Sequence, residues 1–454
     1  MNIYIHIEWT KRELDSNLLL ATLAAEKGAE VFLSDYHSFK FLYDKKLIKP
    51  GLFHSKSAVH GTNKQAFFES LKKNHFVITS IDEESGLVHN NDNLIGFVNS
   101  RFTNQALELI DRIFCWGSFD YDILIEKFKK YSKKFIHSGS PRIDLWKKKL
   151  SPYWDTDLKK MNKKYVLISC TFGVINSPIA LWKIYFKLRK EGYFDRNKHL
   201  KHRFIEQASQ SLRLFYKFVD AVNFLTQNCK DIDFVLRPHP VENPEVWEHL
   251  LIKSENLIIE PTGPMSSVIK NAKAVIQNGC TTAYEATLND IPVITYHPLT
   301  DEILHGKPAN ELGKYVDNLE DLKTQVQDIV LKNINMKDSS KKKEAEKKLN
   351  FSQEEICSEV IIDNWLTLLK DYKKKNNWNL LFILLFFYQF VKKIIFNILT
   401  FGKDKKKIIG EVKFENKNVD YYQNKVNKLK EIFNISSDIC VYKSVDNSIL
   451  IKKK

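Results

Sequence analysis

The chain opens with a strand-like alternation of apolar and polar positions. Isoleucines at positions 3, 5 and 7 share one face, and Tyr4, His6 and Glu8 share the other, as in a half-buried strand. An apolar helical run over residues 18–25 follows, Gly28 ends it, and residues 29–33 have the pattern of a second strand. A strand, a helix and a strand in this order form the unit of a parallel sheet.

Short apolar runs continue this alternation along the chain. A polar, Lys-rich stretch at 145–164 interrupts them, and we therefore place a domain boundary near 150–164. The pattern predicts an α/β fold with two Rossmann-like domains, at 1–150 and 160–335. Ligands of such open sheets bind at the carboxyl ends of the strands. The further predicted strands lie at 76–81, 112–117, 134–139, 165–170, 233–237, 256–260, 274–277 and 292–296.

An amphipathic helix is predicted over residues 352–369. Ser352 is suited to the N-cap, and Glu354 and Glu355 fall in the first turn, where negative charge is favourable. We assign residues 350–372 to this helix.

Charge and cysteine usage narrow the class of protein. The net charge of the 454 residues is +15, and residues 371–454 hold 18 Lys and 8 Asp or Glu, a net of +10. A nucleic-acid enzyme would spread its basic residues over the folded body, so we expect no nucleic-acid partner and an anionic membrane surface instead. The six scattered cysteines lack CxxC spacing, and the first residues lack a signal-peptide pattern; both favour a cytoplasmic protein.

The most apolar stretch lies at 378–401 within this basic region. Residues 380–388 are uninterruptedly apolar, but Lys392 and Lys393 follow, and lysine clusters at 373–375 and 405–407 flank the segment. Lysines near the middle disfavour a spanning helix. We predict that 373–454 is a basic, amphipathic tail lying on the inner face of the cell membrane. A spanning helix and a helix packed on the protein itself are the alternatives.

Two loops of the second predicted domain have residues suited to a phosphate. Arg237-Pro238-His239-Pro240 follows an apolar strand, and its guanidinium and imidazole suit an anion. After the strand at 274–277, Asn278-Gly279-Cys280-Thr281-Thr282 leads into a helix, with a threonine suited to cap it and to contact phosphate. Glu285 lies a turn further, within reach of a ribose hydroxyl. The alternatives are a rigid structural loop and an ordinary capped helix.

Together these motifs resemble those of bacterial surface-carbohydrate (capsule or O-antigen) biosynthesis proteins, which are similar to glycosyltransferases of the two-Rossmann-domain GT-B type. The resemblance covers about residues 1–370. It also rests on Arg12-Glu13-Leu14, Asp82-Glu83-Glu84-Ser85-Gly86, Cys115-Trp116-Gly117 and Gly139-Ser140-Pro141-Arg142-Ile143-Asp144. It implies two domains facing a cleft, with 350–372 as a crossover helix that packs back on the N-terminal domain.

The resemblance also implies a division of labour. The C-terminal domain would hold a nucleotide sugar through Arg237, His239 and the turn containing Asn278, Gly279, Thr281, Thr282 and Glu285; a CMP-linked acid sugar is one such donor. The N-terminal domain would bind a lipid-linked or polysaccharide acceptor, with Arg12 and Lys56 beside it. Asp82, Glu83 or Glu84 would remove the acceptor proton. The alternative is that one or two of them cap a helix or pair with Arg12 or Lys56. GT-B enzymes usually need no metal, and we expect neither metal nor cofactor.

The resulting prediction is a membrane-associated glycosyltransferase of surface polysaccharide assembly. A polyol-phosphate transferase or a sugar-nucleotide epimerase on the same scaffold is one alternative, and a non-catalytic assembly subunit is another.

Overall fold

A computed structural model describes residues 1–58, 62–84, 87, 91–154, 165–190, 192–195, 199–299, 308–334, 338–370, 417–445 and 447–454. The chain divides into two compact units. The first unit comprises residues 1–86, 95–153 and 347–454, and the second comprises 87–94 and 154–346.

The first unit is built on a mixed sheet with the order β13-β14-β2-β1-β3-β4-β5-β6. The strands from β2 to β6 in this order are parallel. Since β1 lies between β2 and β3, the direction of winding reverses there. The strands are β1 (Asn2–His6), β2 (Glu30–Ser34), β3 (Leu52–Ser55), β4 (Val77–Ile81), β5 (Arg112–Cys115), β6 (Phe135–His137), β13 (Ile439–Lys443) and β14 (Ser448–Lys453).

Helices connect and cover these strands. The long α1 is largely buried because apolar residues fill its middle, from Leu18 to Ala25. A separate part of the core of this unit is rich in aromatic side chains and includes Phe39, Phe53 and Phe68. The helices are α1 (Thr10–Glu26), α2 (Tyr36–Asp44), α3 (Thr62–Lys73), α4 (Asn91–Arg101), α5 (Asn104–Leu109), α6 (Ser118–Lys127) and α7 (Pro141–Asp144), followed later by α16 (Cys357–Lys370) and α17 (Val419–Ile432).

The second unit has a wholly parallel sheet in the order β12-β11-β10-β7-β8-β9. In chain order this is the 3-2-1-4-5-6 arrangement of the dinucleotide-binding Rossmann fold, which switches direction between β7 and β10. The strands are β7 (Tyr165–Ser169), β8 (Asp233–Arg237), β9 (Leu257–Ile259), β10 (Ala272–Gln277), β11 (Val293–Tyr296) and β12 (Lys314–Val316). Their apolar side chains form the core with α9 and α14. The helices are α8 (Leu181–Lys190), α9 (Leu200–Asn228), α10 (Pro244–Leu250), α11 (Met265–Ile269), α12 (Thr282–Leu288), α13 (Pro308–Glu311), α14 (Leu319–Val330) and α15 (Ser339–Lys348).

The last residues of the chain belong to the first unit. Strand β14 pairs antiparallel with β2, and β13 pairs with β14, while α17 packs on α1. The prediction of a tail outside the domains was therefore wrong for residues 417–454. The physical reason is that Val426, Leu429 and Ile451 are fully buried there. The apolar stretch at 378–401 lies outside the described residues.

The predicted helix at 352–369 begins later than expected. Ser352 accepts hydrogen bonds from the N–H groups of Glu354 and Glu355, but α16 starts at Cys357. Its first N–H groups are capped from elsewhere, because the Asp144 carboxylate accepts from Cys357 N at 2.9 Å and Ser358 N at 2.8 Å. Asp144 also forms a fully buried ion pair of 2.7 Å with Lys147.

Close backbone approaches explain two glycines of the sequence motifs. A Cβ on Gly139, which has φ +77°, would lie 2.3 Å from Cys357 Sγ, and one on Gly117 would lie 1.9 Å from the Lys348 carbonyl oxygen. The motifs Cys115-Trp116-Gly117 and Gly139-Ser140 therefore lie where the returning chain docks on the first unit.

Candidate functional site

The switch point of the second unit brings three small polar side chains together. Ser169 ends β7, and its hydroxyl lies 3.2 Å from Thr282 Oγ1 and 3.3 Å from Cys280 Sγ. Cys280 Sγ and Thr282 Oγ1 are 2.9 Å apart. The turn after β10 thus contacts the end of β7 at the position where Rossmann sheets bind their ligands.

Buried side chains fix the shape of this turn. Gln277 is completely buried. Its side-chain oxygen Oε1 accepts from Cys280 N at 2.9 Å, and its side-chain nitrogen Nε2 donates to Thr295 Oγ1 at 2.8 Å. Asn310 accepts from Gly279 N. Gly279 has φ +65°, a conformation that glycine adopts without strain. Hydrogen bonds to Thr295 of β11 and Asn310 of α13 therefore fix the shape of the turn.

The predicted turn residues have distinct positions. Asn278 donates to the Tyr296 carbonyl at 2.9 Å, and in the described part of the chain its buried Oδ1 has no hydrogen-bond partner. Thr281 is at the N-cap position of α12 but makes no side-chain cap, and Thr282 points toward Ser169 instead. The prediction that a threonine caps the helix was wrong, because Thr281 has helical φ and ψ. Glu285 is buried.

The loop after β8 contacts the loop after β7 through Glu242, a residue that the sequence analysis missed. This buried carboxylate accepts from Phe172 N at 2.8 Å, His239 N at 3.1 Å and Trp247 Nε1 at 2.8 Å. Burial raises the pKa of Glu242. Glu242 therefore holds the loop in a shape that leaves the His239 side chain exposed, with Nδ1 accepting from Val241 N at 3.4 Å.

The two loops also approach through Gly173. A Cβ there would lie 2.3 Å from Val241 Cγ2 and 3.3 Å from His239 Nδ1. Thr171, slightly earlier in the same loop, donates to the Asn278 carbonyl at 3.1 Å. The loops after β7, β8 and β10 therefore meet at one edge of the sheet.

Arg237 has a different position from the predicted one. Its guanidinium is buried and donates to the carbonyls of Glu260, Thr262 and Gly263. These N–H groups already hold the loop after β9, so the geometry does not support direct phosphate binding by Arg237. Arg237 is a positioning residue of that loop.

In the first unit, the predicted carboxylates follow β4 and separate into three environments. Asp82 forms a two-pronged ion pair with Arg101, both bonds being 2.7 Å long. Glu84 is exposed and lies 3.4 Å from the same guanidinium. Arg101 therefore neutralises the first and last carboxylates of the triplet, a role for which the sequence has no recognisable signal.

Glu83 is the buried member, and it differs chemically. Glu83 is 5% exposed, and its Oε2 has no hydrogen-bond partner among the described residues; Arg142 forms an ion pair with it at 4.0 Å. Burial, with the negative charge of Glu13 added, raises the pKa of Glu83 to about 7. A carboxylate with this pKa exchanges protons near neutrality, as a general base requires.

Backbone contacts hold Glu83 in place. Its N–H donates to the Lys56 carbonyl at 2.9 Å, and its own carbonyl accepts from Arg142 at 2.9 Å. Arg142 in turn stacks over Trp116, with its Cζ 5.2 Å from the ring centroid. Trp116 donates to the Asp82 carbonyl at 2.9 Å. The motifs after β4, β5 and β6 thus converge on this carboxylate.

The two residues predicted beside the acceptor lie at the switch point between β1 and β3. Lys56 forms an ion pair with Glu8, and burial lowers the pKa of Lys56 to about 8. Arg12 donates to Glu13 Oε1 at 2.7 Å, while Glu13 Oε2 accepts from Glu8 N at 2.8 Å. The first unit therefore gathers acids and bases at the carboxyl edge of its sheet.

A pocket of about 850 Å³ lies elsewhere in the second unit. Pro292, Val293 and Lys342 are among its lining residues, which places it at the amino end of β11, away from the strand ends described above.

The described residues contain neither a metal cluster nor a membrane-spanning helix. No group of three or more His, Cys, Asp or Glu residues in this part of the chain is arranged to hold a metal ion. Among the helices that the structure describes, none combines the length and apolar character needed to cross a membrane.

Comparison with solved structures identifies the fold. The wall teichoic acid polymerase TagF matches with a TM-score of 0.51 and 11% identity, over 82% of this chain and 90% of that chain. TagF with CDPG matches with a TM-score of 0.50, 11% identity and the same coverage. The UDP-GlcNAc 2-epimerase of Neisseria meningitidis bound to UDP-GlcNAc has a TM-score of 0.48 and 13% identity, covering 81% of this chain and 100% of that chain.

No family model and no curated protein sequence matches the chain. The class of the fold is nevertheless defined, since the likeness to TagF extends over both units. The prediction of an α/β protein with two Rossmann-like domains of GT-B type is confirmed.

Proposed function

We propose that this protein is a GT-B-type transferase of bacterial surface polysaccharide assembly. It moves a nucleotide-activated sugar to a lipid-linked or growing polysaccharide acceptor. A CMP-linked acid sugar is one donor of this class.

One observation carries the proposal: the loops after β7, β8 and β10 meet at the switch point of a 3-2-1-4-5-6 sheet. At this edge Thr281 is half-buried and the imidazole of His239 is exposed, while the hydroxyls of Ser169 and Thr282 are buried against each other. These are hydrogen-bonding groups suited to a nucleotide phosphate. Glu242 and Gln277 support the loops from behind.

The first unit supplies the base. Of the three predicted carboxylates, Glu83 fits this role best, because the other two are ion-paired with Arg101. Glu83 in its deprotonated form would accept the proton of the acceptor hydroxyl as the new bond forms. Asp82 and Arg101 then position the loop that carries it, and Lys56 and Arg12 lie toward the acceptor.

A polyol-phosphate transferase is the second candidate. The solved structures that match with TM-scores of 0.50 and 0.51 are of a wall teichoic acid polymerase, in one case with CDPG. The same cluster of loops would hold the diphosphate of such a donor, and the same base would serve. A sugar-nucleotide epimerase and a non-catalytic assembly subunit rank below these two transferases.

For the membrane, we propose a peripheral association with the cytoplasmic face. The support is the sequence of residues 371–416, which hold 10 Lys and 4 Asp or Glu and include the apolar run at 380–388.

Isothermal calorimetry with CMP, CDP, UDP and GDP tests the donor site. One of them should bind clearly more tightly than the others. His239→Ala should weaken that binding by about 1.5–3 kcal/mol, which is the range for a hydrogen bond to a charged group. His249→Ala, at an exposed histidine of α10, is the matched control and should leave the affinity unchanged.

A result in which none of the four nucleotides binds would contradict the donor site and favour a non-catalytic assembly subunit. Incubation with CMP-, UDP- and GDP-sugars and with CDP-polyols, plus a membrane extract as acceptor, then separates sugar transfer from polyol-phosphate transfer. The measurement is release of the free nucleotide, with Glu83→Gln as the inactive reference.

A further inference from the structure

Helix α8 is unusual because its outer face is apolar and basic at once. Trp182 and Phe186 are 56% and 57% exposed, and Ile179 in the preceding loop is 56% exposed. Within the described residues, these three are the most exposed of the large apolar side chains. Positions 182 and 186 lie one helical turn apart, so their rings share one face.

Cations surround these rings. Lys183, Lys187, Arg189 and Lys190 are exposed on the same helix, which contains no Asp or Glu. Residues 181–206 include eight Lys or Arg and three Asp or Glu. Their excess of five positive charges equals that of all of residues 1–370, so the remainder of those 370 residues is neutral overall.

The helix is anchored to the second unit by aromatic packing. Tyr185 faces inward, with its ring 4.9 Å from that of Phe194 and 5.9 Å from that of Phe204 on α9. Phe194 is buried. Because the inner face of the helix already packs on this cluster, the exposed rings of Trp182 and Phe186 are not needed to form the core.

The helix also begins from the ligand edge of the sheet. The loop from β7 to α8 is held where Phe172 N and Asn176 Nδ2 donate to Glu242, and it then exposes Val174 and Ile179. The apolar and basic surface is thus joined to the candidate donor site by a fixed loop.

We infer that this surface, defined as Val174, Ile179 and the outer face of α8, binds a bilayer containing anionic lipid. Tryptophan and phenylalanine interleaved with Lys and Arg characterise helices that lie in the membrane interface. The absence of acidic residues from α8 and the local charge excess match negatively charged headgroups. The inference adds a membrane contact in the second unit and does not depend on the segment 378–401 or on the proposed reaction.

Vesicle sedimentation of the full-length protein tests this surface. The vesicles contain phosphatidylcholine with phosphatidylglycerol, or phosphatidylcholine alone. We expect Trp182→Ser with Phe186→Ser, and separately Lys183→Glu with Lys187→Glu, each to lower the partition coefficient on anionic vesicles roughly tenfold or more. The loss caused by the lysine reversals should shrink at high salt, whereas the loss caused by the ring removals should persist.

The matched controls are Ile252→Ser and Lys253→Glu, at an exposed apolar and an exposed basic residue of the same unit. They should bind as the unmodified protein does. Trp182→Phe should retain sedimentation but lose part of the blue shift in tryptophan fluorescence. Unchanged binding of both double variants would overturn the inference, since the membrane contact would then lie elsewhere. Loss of self-association in these variants, with vesicle binding unchanged, would identify a second copy as the occupant and would also overturn it.

Discussion

Glu83 is buried and its Oε2 finds no hydrogen-bond partner within the residues that the structure describes, and this costs stability above the ordinary pKa of a carboxylate. A folded-state pKa near 7 lies above the ordinary value, so the folded protein holds this proton more tightly than the unfolded chain. The associated stability is complete below the ordinary pKa and is lost as pH rises through about 7.

Glu83→Gln should therefore raise the free energy of unfolding at pH 8 by about 1–3 kcal/mol, and the advantage should vanish towards pH 4. Denaturant unfolding at both pH values measures this. Glu84→Gln, at the exposed neighbour, is the control and should show no such dependence. Equal stability of the protein and the Glu83 variant at pH 8 would mean that the carboxylate is well solvated.

The same residue sets the expected pH dependence of transfer. A base must be deprotonated to act, so kcat should rise as pH increases through about 7 and should then level off. Glu83→Gln should lower kcat roughly 100-fold or more, with a much smaller effect for Glu84→Gln. A pH profile that is the same in both variants as in the unmodified protein would remove Glu83 from this role.

Asp144 is a structural residue of the motif Gly139-Ser140-Pro141-Arg142-Ile143-Asp144. Its carboxylate caps α16 and pairs with the buried Lys147. Asp144→Ala should lower the free energy of unfolding by about 3–5 kcal/mol, because it leaves a buried ammonium group unpaired. Asp144→Ala with Lys147→Met should recover part of this loss; a double variant no more stable than the single one would contradict the buried charge as its cause.

At the level of elements, the C-terminal hairpin and α17 complete the first unit. A chain that ends at residue 370 would expose β2 and the α1 surface on which α17 packs. We expect such a chain to be poorly folded, with a markedly lower melting temperature and yield. A chain in which a flexible Gly/Ser linker replaces residues 371–416 should keep both values. Equal behaviour of the two chains would show that the hairpin adds little.

Most strands of the two sheets were predictable because each is a short apolar run bounded by turn residues. Strands β3 and β12 were not predicted, since β3 has only two apolar residues and β12 only three residues in all. The hairpin was missed although Ile439 and Val441, then Ile449 and Ile451, alternate as strand residues do. The total charge of 371–454 emphasised its lysines, whereas residues 417–454 also contain a buried set of apolar side chains. Charge summed over a segment does not report which side chains are buried.

Within the site, sequence identified the loops better than the roles of their residues. Asn278, Gly279, Thr282 and His239 lie at the predicted strand ends, but Arg237 holds a neighbouring loop. Glu242 was missed because a lone glutamate after Arg-Pro-His-Pro has no pattern of its own. The role of Glu242 depends on Phe172, which is 70 positions away in the sequence, and on Trp247, which belongs to no recognisable motif. Folding brings both residues into contact with Glu242.

At the scale of the whole molecule, each unit has its own core. We therefore expect calorimetry to resolve two unfolding transitions. Asp144→Ala should lower the melting temperature of the transition that belongs to the first unit. A bound nucleotide at about 100 times its Kd should stabilise the second unit by about 2.7 kcal/mol. A single transition that shifts as a whole under both changes would contradict this independence.

The pairing of β14 with β2 has a consequence for biosynthesis. The contact between Glu30 and Lys452 joins residues 422 positions apart. The ribosome therefore synthesises the whole second unit before it synthesises β14, the strand that pairs with β2. At roughly 5–20 residues per second, that interval is about 20–80 seconds on the ribosome. During it, β2 is an unpaired sheet edge that other chains can join. We therefore expect the nascent first unit to need chaperone protection, and the second unit to finish folding before the unit whose synthesis began first.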